Sequence, residues 1–170
     1  AKDARVRAVI PEGVKRAYYL DLFSFLKNQL YSPRVPSGKS AIELLARTLE
    51  PILDTSAAPL MAQVGGNEQR FLVLLAALDW LFRSYEKEKE QNGYIDFDDQ
   101  KLHAYELLGE SETVRSAVQS SYDRVIVDEF QDLNELDFRL ILQVAELATL
   151  LVVGDDDQAI YGFRGTSPRY

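Results

Sequence analysis

The sequence has no cysteine and a single histidine among its 170 residues. The lack of cysteine excludes disulfide bonds and thiolate metal sites, which fits a reducing cytoplasm. His103 falls on the polar side of a predicted helix and has no partner for a metal, so we expect it at the surface. No apolar run approaches the roughly 18 residues that span a bilayer, and no signal-peptide pattern is present. We therefore expect a soluble, cytoplasmic protein without a membrane partner.

Basic residues are outnumbered by acidic ones, 19 against 27, which gives a formal net charge of −8. Residues 1–93 carry 13 basic and 11 acidic residues, whereas residues 94–170 carry 6 and 16. Carboxylates concentrated in the second part suit a site for a divalent cation. Contact with DNA would have to come from a local basic or aromatic patch rather than from overall charge.

The first 93 residues predict a small helical domain. Apolar residues at spacings of three and four predict helices over residues 15–30, from about 40 to 51, and over 68–91. Residues 54–68 are small and polar and predict a mobile connection. Asn92 and Gly93 are expected to close the last helix.

Residues 94–170 predict an α/β unit. Asp96 is a candidate N-cap, with Asp99 completing an acidic capping box for a helix that ends at Gly109. A polar helix near residues 111–120 follows. Continuous apolar runs at 125–127 and 150–153 predict parallel strands buried on both faces, joined by a helix over 134–147 with Leu147 inward.

Acidic residues follow both predicted strands. Asp128 and Glu129 come directly after the first strand, and Asp155, Asp156, Asp157 and Gln158 follow the second. The carboxyl ends of neighbouring parallel strands meet at one edge of a sheet, where ligands bind. The pattern therefore predicts a site for magnesium and a nucleotide.

Three segments carry a family resemblance. Val-Asp-Glu-Phe-Gln-Asp at 127–132 and Val-Gly-Asp-Asp-Asp-Gln-Ala-Ile-Tyr-Gly-Phe-Arg-Gly-Thr at 153–166 resemble the Walker B motif and the next motif of UvrD/Rep/PcrA-type superfamily 1 DNA helicases. Tyr-Ile-Asp-Phe-Asp-Asp at 94–99 resembles the segment that precedes Walker B. The resemblance implies a mostly helical α/β fold, with a partial P-loop NTPase (RecA-like) sheet in 94–170 and an inserted helical accessory subdomain in 1–93.

The resemblance also implies roles for residues at the strand ends. Asp128 would hold magnesium, and Glu129 would orient and deprotonate the attacking water. Gln158 would contact the γ-phosphate of ATP. Gln131 and Asp132 would support the nucleotide site.

The same resemblance implies that Tyr161, Phe163 and Arg164 contact single-stranded DNA. In an extended segment, Tyr161 and Phe163 point the same way, which suits stacking on bases. The family often has Trp at the position of Phe163. The alternative is that both aromatic residues close the core of the sheet.

A phosphate-binding loop is not evident. Ser37-Gly38-Lys39-Ser40 resembles the end of one, but Pro33 replaces the first glycine and a helix rather than a strand is predicted before it. We expect this segment to be a loop that starts a helix, capped by Ser37 or Ser40. We further expect an internal fragment of a larger helicase that needs the remaining helicase domains, and an isolated chain that does not hydrolyse ATP.

The leading interpretation is a fragment of an ATP-dependent DNA helicase that couples hydrolysis to movement on single-stranded DNA, with ATP and Mg²⁺ as cofactors of the intact parent and duplex DNA as a further partner. The alternative is a non-enzymatic helicase-like module that binds DNA or protein. A nuclease built on Asp155, Asp156 and Asp157 fits poorly, because consecutive carboxylates point in different directions. The role of Asp98, in the core or near the nucleotide, stays open.

Overall fold

The structure is a computed structural model that describes residues 14–62 and 64–155. It is mostly helical, with a parallel sheet of two strands in the described part. The chain divides into two compact units. The first consists of the chain up to Leu26 and of Tyr31–Ile95, and the second consists of Lys27–Leu30 and of the chain from Asp96 onward. None of the helices in the described residues is both long and apolar enough to cross a membrane.

Helices make up the first unit. They are α1 (Arg16–Asn28), α2 (Lys39–Leu49), a 3₁₀ turn (Glu50–Ile52), α3 (Ala58–Met61) and α4 (Glu68–Asn92). The last two residues of α1 group with the second unit. The predicted helices are confirmed, and α4 ends at Gly93, whose φ of 68° is the left-handed conformation that glycine adopts without strain.

One hydrophobic core holds the first unit together. The predicted apolar stripes of α1 and α4 meet in it, with Leu26, Leu75 and Phe82 fully buried. The prediction for residues 54–68 is wrong, because Leu60 of α3 and Val64 join this core at 1% and 3% exposure. A helix of four residues is too short to show a period in the sequence.

A buried polar network fixes the loop after α1. The hydroxyl of Tyr31 donates to Asp79 Oδ1 at 2.6 Å, and Arg83 Nε donates to the same oxygen at 2.7 Å. Arg83 also donates to the carbonyl of Pro33 at 2.6 Å. Burial, and then the hydrogen bond to Asp79, raise the pKa of Tyr31.

The start of α2 differs from the prediction. Gly38 is the N-cap residue, with φ of 131°, and no side chain caps the helix, so neither Ser37 nor Ser40 has the expected role. Glycine supplies a backbone conformation that other residues rarely adopt. The expectation that this loop starts a helix, preceded by a helix rather than a strand, is confirmed.

The second unit contains α5 (Phe97–Glu110), α6 (Glu112–Gln119), β1 (Arg124–Val127), a 3₁₀ turn (Phe130–Asp132), α7 (Glu135–Ala145) and β2 (Thr149–Val152). The predicted capping box is confirmed. Asp96 accepts a hydrogen bond from the Asp99 amide at 2.9 Å, and the Asp99 side chain accepts one from the Asp96 amide at 2.8 Å. His103 is exposed, as expected.

The two strands are parallel, in register from Arg124 opposite Thr149 to Val127 opposite Val152. The prediction that both faces are buried is wrong, because Ile126 is 68% exposed and Leu151 55%. Burial of both faces needs a layer of helices on each. The described residues place no such layer over these two side chains. Leu147 is likewise 71% exposed, since α7 ends before it.

A buried lysine organises the start of α5. Lys27 is 1% exposed, and its ammonium lies 2.6 Å from Asp96 Oδ2 and 2.7 Å from Asp99 Oδ1. Next to it, Asn28 donates to Asp98 Oδ1 at 3.0 Å. The structure therefore gives Asp98 a contact with the end of α1.

Candidate functional site

The loops that follow β1 and β2 are joined by backbone hydrogen bonds. The Val153 amide donates to the carbonyl of Val127 at 2.8 Å, and the Phe130 amide donates to the carbonyl of Val153 at 2.9 Å. Asp128 and Glu129 after β1 and Asp155 after β2 therefore lie at one edge of the sheet, as the strand pattern predicts. This edge is the candidate functional site.

Asp128 and Glu129 are both exposed at this edge. Asp128 Oδ1 accepts a hydrogen bond from the Glu129 amide at 2.9 Å. Glu129 has φ of 52° and ψ of 44°, the left-handed conformation. A residue with a Cβ pays about 1–2 kcal/mol there, so the chain turns sharply off the strand at an energetic cost. Such strained residues occur often at functional sites.

The side chain of Gln131 connects the two loops. It is 4% exposed, and its Nε2 donates to Glu129 Oε2 at 2.7 Å. Its Oε1 accepts a hydrogen bond from the Asp155 amide at 2.9 Å. Both ends of the amide are thus used, one on each loop.

Asp132 and Phe130 complete the 3₁₀ turn. The Asp132 amide donates to the carbonyl of Glu129 at 2.9 Å, and the rings of Phe130 and Phe138 meet edge to face at 6.2 Å between centroids. Asp132 Oδ1 is buried and has no hydrogen-bond partner among the described residues. The turn anchors the loop against α7.

Gly154 allows the two loops to approach closely. A Cβ at this position would lie 2.5 Å from Gln131 Oε1 and 3.1 Å from the Cβ and the amide nitrogen of Phe130. The φ of Gly154 is not in the left-handed region, so space rather than backbone conformation requires glycine here. Sequence reasoning missed this residue, although its place directly after a strand was a signal.

The donor groups at this edge suit a hard divalent cation. Asp128, Glu129 and Asp155 are exposed and bring carboxylate oxygens, the ligands that Mg²⁺ prefers. They follow the carboxyl ends of parallel strands, where nucleotides bind in open α/β sheets. These residues supply ligands of the kind that a magnesium–nucleotide complex needs, and the binding of such a complex stays a prediction.

The other predicted site residues lie outside the described part of the chain. They are Gln158, Tyr161, Phe163 and Arg164, together with Asp156 and Asp157. Their roles stay predictions. Lys39, by contrast, is described: its side chain is 91% exposed and lies 3.7 Å from Glu43 on the surface of α2.

Residues 44–170 match the model of the UvrD/REP helicase N-terminal domain. Among curated proteins, the chain is 38% identical over 117 residues to the probable DNA helicase II homolog of Mycoplasma capricolum, which covers 68% of this chain and 15% of that protein. It is 37% identical over 91 residues to the putative ATP-dependent DNA helicase YjcD of Bacillus subtilis. The aligned residues make up 53% of this chain and 12% of that protein.

A longer match joins this chain to the ATP-dependent DNA helicase Rep of Salmonella typhimurium. The two are 29% identical over 145 residues, which is 85% of this chain and 21% of that helicase. The chain thus spans about a fifth or less of these three relatives. The family model covers most of the chain, including the edge that carries Asp128 and Glu129. The chain therefore belongs to the UvrD/REP helicase family, and it matches the N-terminal domain of those helicases.

Proposed function

We propose that this chain is part of an ATP-dependent DNA helicase that couples ATP hydrolysis to movement along single-stranded DNA. The observation that carries the proposal is the pair Asp128 and Glu129, exposed at the end of β1 and tied to the loop after β2 by Gln131. Family membership and the names of the relatives, which are DNA helicases, support it. In this proposal, residues 94–170 form part of a RecA-like core and residues 1–93 an inserted helical subdomain.

Asp128 and Glu129 have different roles in the proposed reaction. Asp128 would hold magnesium, which would offset the negative charge of the phosphates. Glu129 would accept a proton from water as the water oxygen bonds to the γ-phosphorus and the bond from that phosphorus to the bridging oxygen breaks, with ADP as the leaving group. Its exposure leaves the carboxylate open to water, and its hydrogen bond with Gln131 uses one carboxylate oxygen, Oε2.

The segment that follows Asp155 is proposed to connect ATP to DNA. Gln158 would donate to the γ-phosphate and lose that partner after hydrolysis. Tyr161 and Phe163 would stack on bases, and Arg164 would bind a phosphate or stack. Tyr161 follows Gln158 by three positions, so loss of the phosphate contact at Gln158 would change the DNA contact at Tyr161.

We expect that the isolated 170-residue chain does not hydrolyse ATP. Hydrolysis needs a phosphate-binding loop, and the one segment with a partial match has Lys39 at the surface of a helix, beside Glu43. ATPase activity of the purified chain is the measurement. Robust activity that Lys39→Ala abolishes, and that Lys87→Ala leaves unchanged, would contradict this expectation.

Phe163→Ala tests the proposed DNA contact in the full helicase that carries this chain. If Phe163 stacks on a base, the variant loses about 1–3 kcal/mol of binding free energy for single-stranded DNA. DNA-stimulated ATPase activity should fall in parallel. Fluorescence anisotropy with a labelled oligonucleotide measures the first and a coupled assay the second. Tyr122→Ala, at an aromatic residue that is 52% exposed in the described part, is the control.

Unchanged DNA binding and unchanged ATPase activity in Phe163→Ala would favour the alternative, in which the aromatic residues belong to the core. That outcome would not bear on hydrolysis, because Glu129 lies on the other loop. The two halves of the proposed function are therefore tested separately.

A further inference from the structure

The Gln131 side chain bridges the two loops at the candidate site. Its amide nitrogen donates to the Glu129 carboxylate at 2.7 Å, and its carbonyl oxygen accepts from the Asp155 amide at 2.9 Å. Side-chain atoms of one residue thus contact both the proposed base and the backbone of the second loop. The side chain is 4% exposed, so water does not readily replace either bond.

An amide is well matched to this position. Glutamine offers a donor and an acceptor on one rigid plane. Glutamate would place a second carboxylate against Glu129, and methionine would remove the oxygen to which the Asp155 amide donates. Because the amide group is planar, a shift of its oxygen also moves the nitrogen that holds Glu129.

Gly154 sets the distance between the loops. A methyl group here would reach 2.5 Å from the Gln131 oxygen, well inside contact distance. The neighbours on the other side are the Cβ and the backbone nitrogen of Phe130, at 3.1 Å each, and that nitrogen is fixed by its bond to the Val153 carbonyl. Any side chain at position 154 must therefore push the Gln131 amide or separate the loops.

We propose that Gln131 is a positioning residue that sets the orientation of the Glu129 carboxylate according to the position of the Gly154–Asp155 backbone. The inference rests on the proposed role of Glu129 as the base. It adds a route by which movement of the second loop changes the rate of hydrolysis without a change in nucleotide binding. The two bonds of Gln131 and the contact at Gly154 are the physical parts of that route.

The experiment uses the full helicase that carries this chain, with kcat and KM for ATP measured at saturating single-stranded DNA. Gln131→Met keeps the size of the side chain and removes both bonds. It should lower kcat by about ten- to a hundred-fold, the usual effect of losing a partner that orients a catalytic group. KM for ATP and the Kd of a non-hydrolysable analogue should change by less than about three-fold, since neither bond touches the nucleotide.

Gly154→Ala should lower kcat in the same way, although it removes no hydrogen-bonding group. The double variant should be no slower than the slower single variant, because both act through the same contact. Gln119→Met is the matched control. Gln119, the last residue of α6, is also buried, at 6%, and its amide donates to Glu146 at 2.7 Å and to the Gln143 carbonyl at 2.8 Å, at the end of α7. This control should lose stability but keep kcat.

Two results would overturn the inference. One is a kcat of Gln131→Met or Gly154→Ala no lower than that of Gln119→Met, and the other is a double variant whose effect is the product of the two single effects. If Gln131→Met does not fold, as judged by thermal unfolding, the kcat of Gly154→Ala compared with that of Gln119→Met decides whether the inference holds. Full turnover in Glu129→Gln would instead show that Glu129 is not the base, and it would overturn the proposed function together with this inference.

Discussion

Turnover of ATP by the full helicase that carries this chain is expected to fall by about a hundred- to ten-thousand-fold in Glu129→Gln. The amide of glutamine cannot accept a proton from water at neutral pH. It can still accept the hydrogen bond that Gln131 donates, because it keeps an oxygen at the same place. The variant therefore removes basicity while preserving the geometry of the loop.

Nucleotide binding should be nearly unchanged in Glu129→Gln, since Asp128 remains to hold magnesium. Steady-state ATPase rates and the Kd of a fluorescent ATP analogue measure the two quantities. Glu112→Gln is the control, at a glutamate whose side chain is 76% exposed and pairs with Arg115 on the surface. A turnover that stays at the control's level would show that Glu129 is not the base.

Lys27→Met should cost the isolated chain about 3–5 kcal/mol of its free energy of unfolding. The ammonium of Lys27 is 1% exposed and lies between Asp96 and Asp99, whose side chains are 34% and 4% exposed. Methionine fills the same volume but removes the positive charge that lies 2.7 Å from the buried carboxylate of Asp99. Both carboxylates also cap α5, so the start of that helix should loosen first.

Urea unfolding followed by far-ultraviolet circular dichroism measures the loss. Lys15→Met, at an exposed lysine, should change the free energy of unfolding by less than about 0.5 kcal/mol. Lys27→Met combined with Asp99→Asn should recover much of the loss. Asparagine still accepts the hydrogen bond from the backbone amide of Asp96, and it carries no charge. A double variant less stable than Lys27→Met would contradict the electrostatic explanation.

Features decided within a few neighbouring residues could be predicted from the sequence. The capping box at Asp96 and Asp99 and the end of α4 at Gly93 each depend on one turn of backbone, and both are present. The parallel pairing of the strands followed from the helix between them. The short distance between the acidic loops followed in turn from that pairing.

Features that depend on distant partners could not be predicted. Lys27 follows Phe23 by four residues and so lies on the apolar stripe of α1, but nothing local indicates that carboxylates some 70 residues later neutralise it. Exposure of Ile126 and Leu151 depends on what packs over the sheet. The contact between Gly154 and Gln131 depends on two loops whose approach no periodic pattern describes.

The left-handed backbone of Glu129 also constrains how this protein can be improved. Glycine or asparagine would occupy that conformation at lower cost, so a selection for heat resistance alone should favour them at position 129. Each would delete the carboxylate on which the proposed chemistry depends. Libraries screened first for thermal tolerance would thus collect stable, inactive molecules at this position, and a sound screen would hold residue 129 fixed.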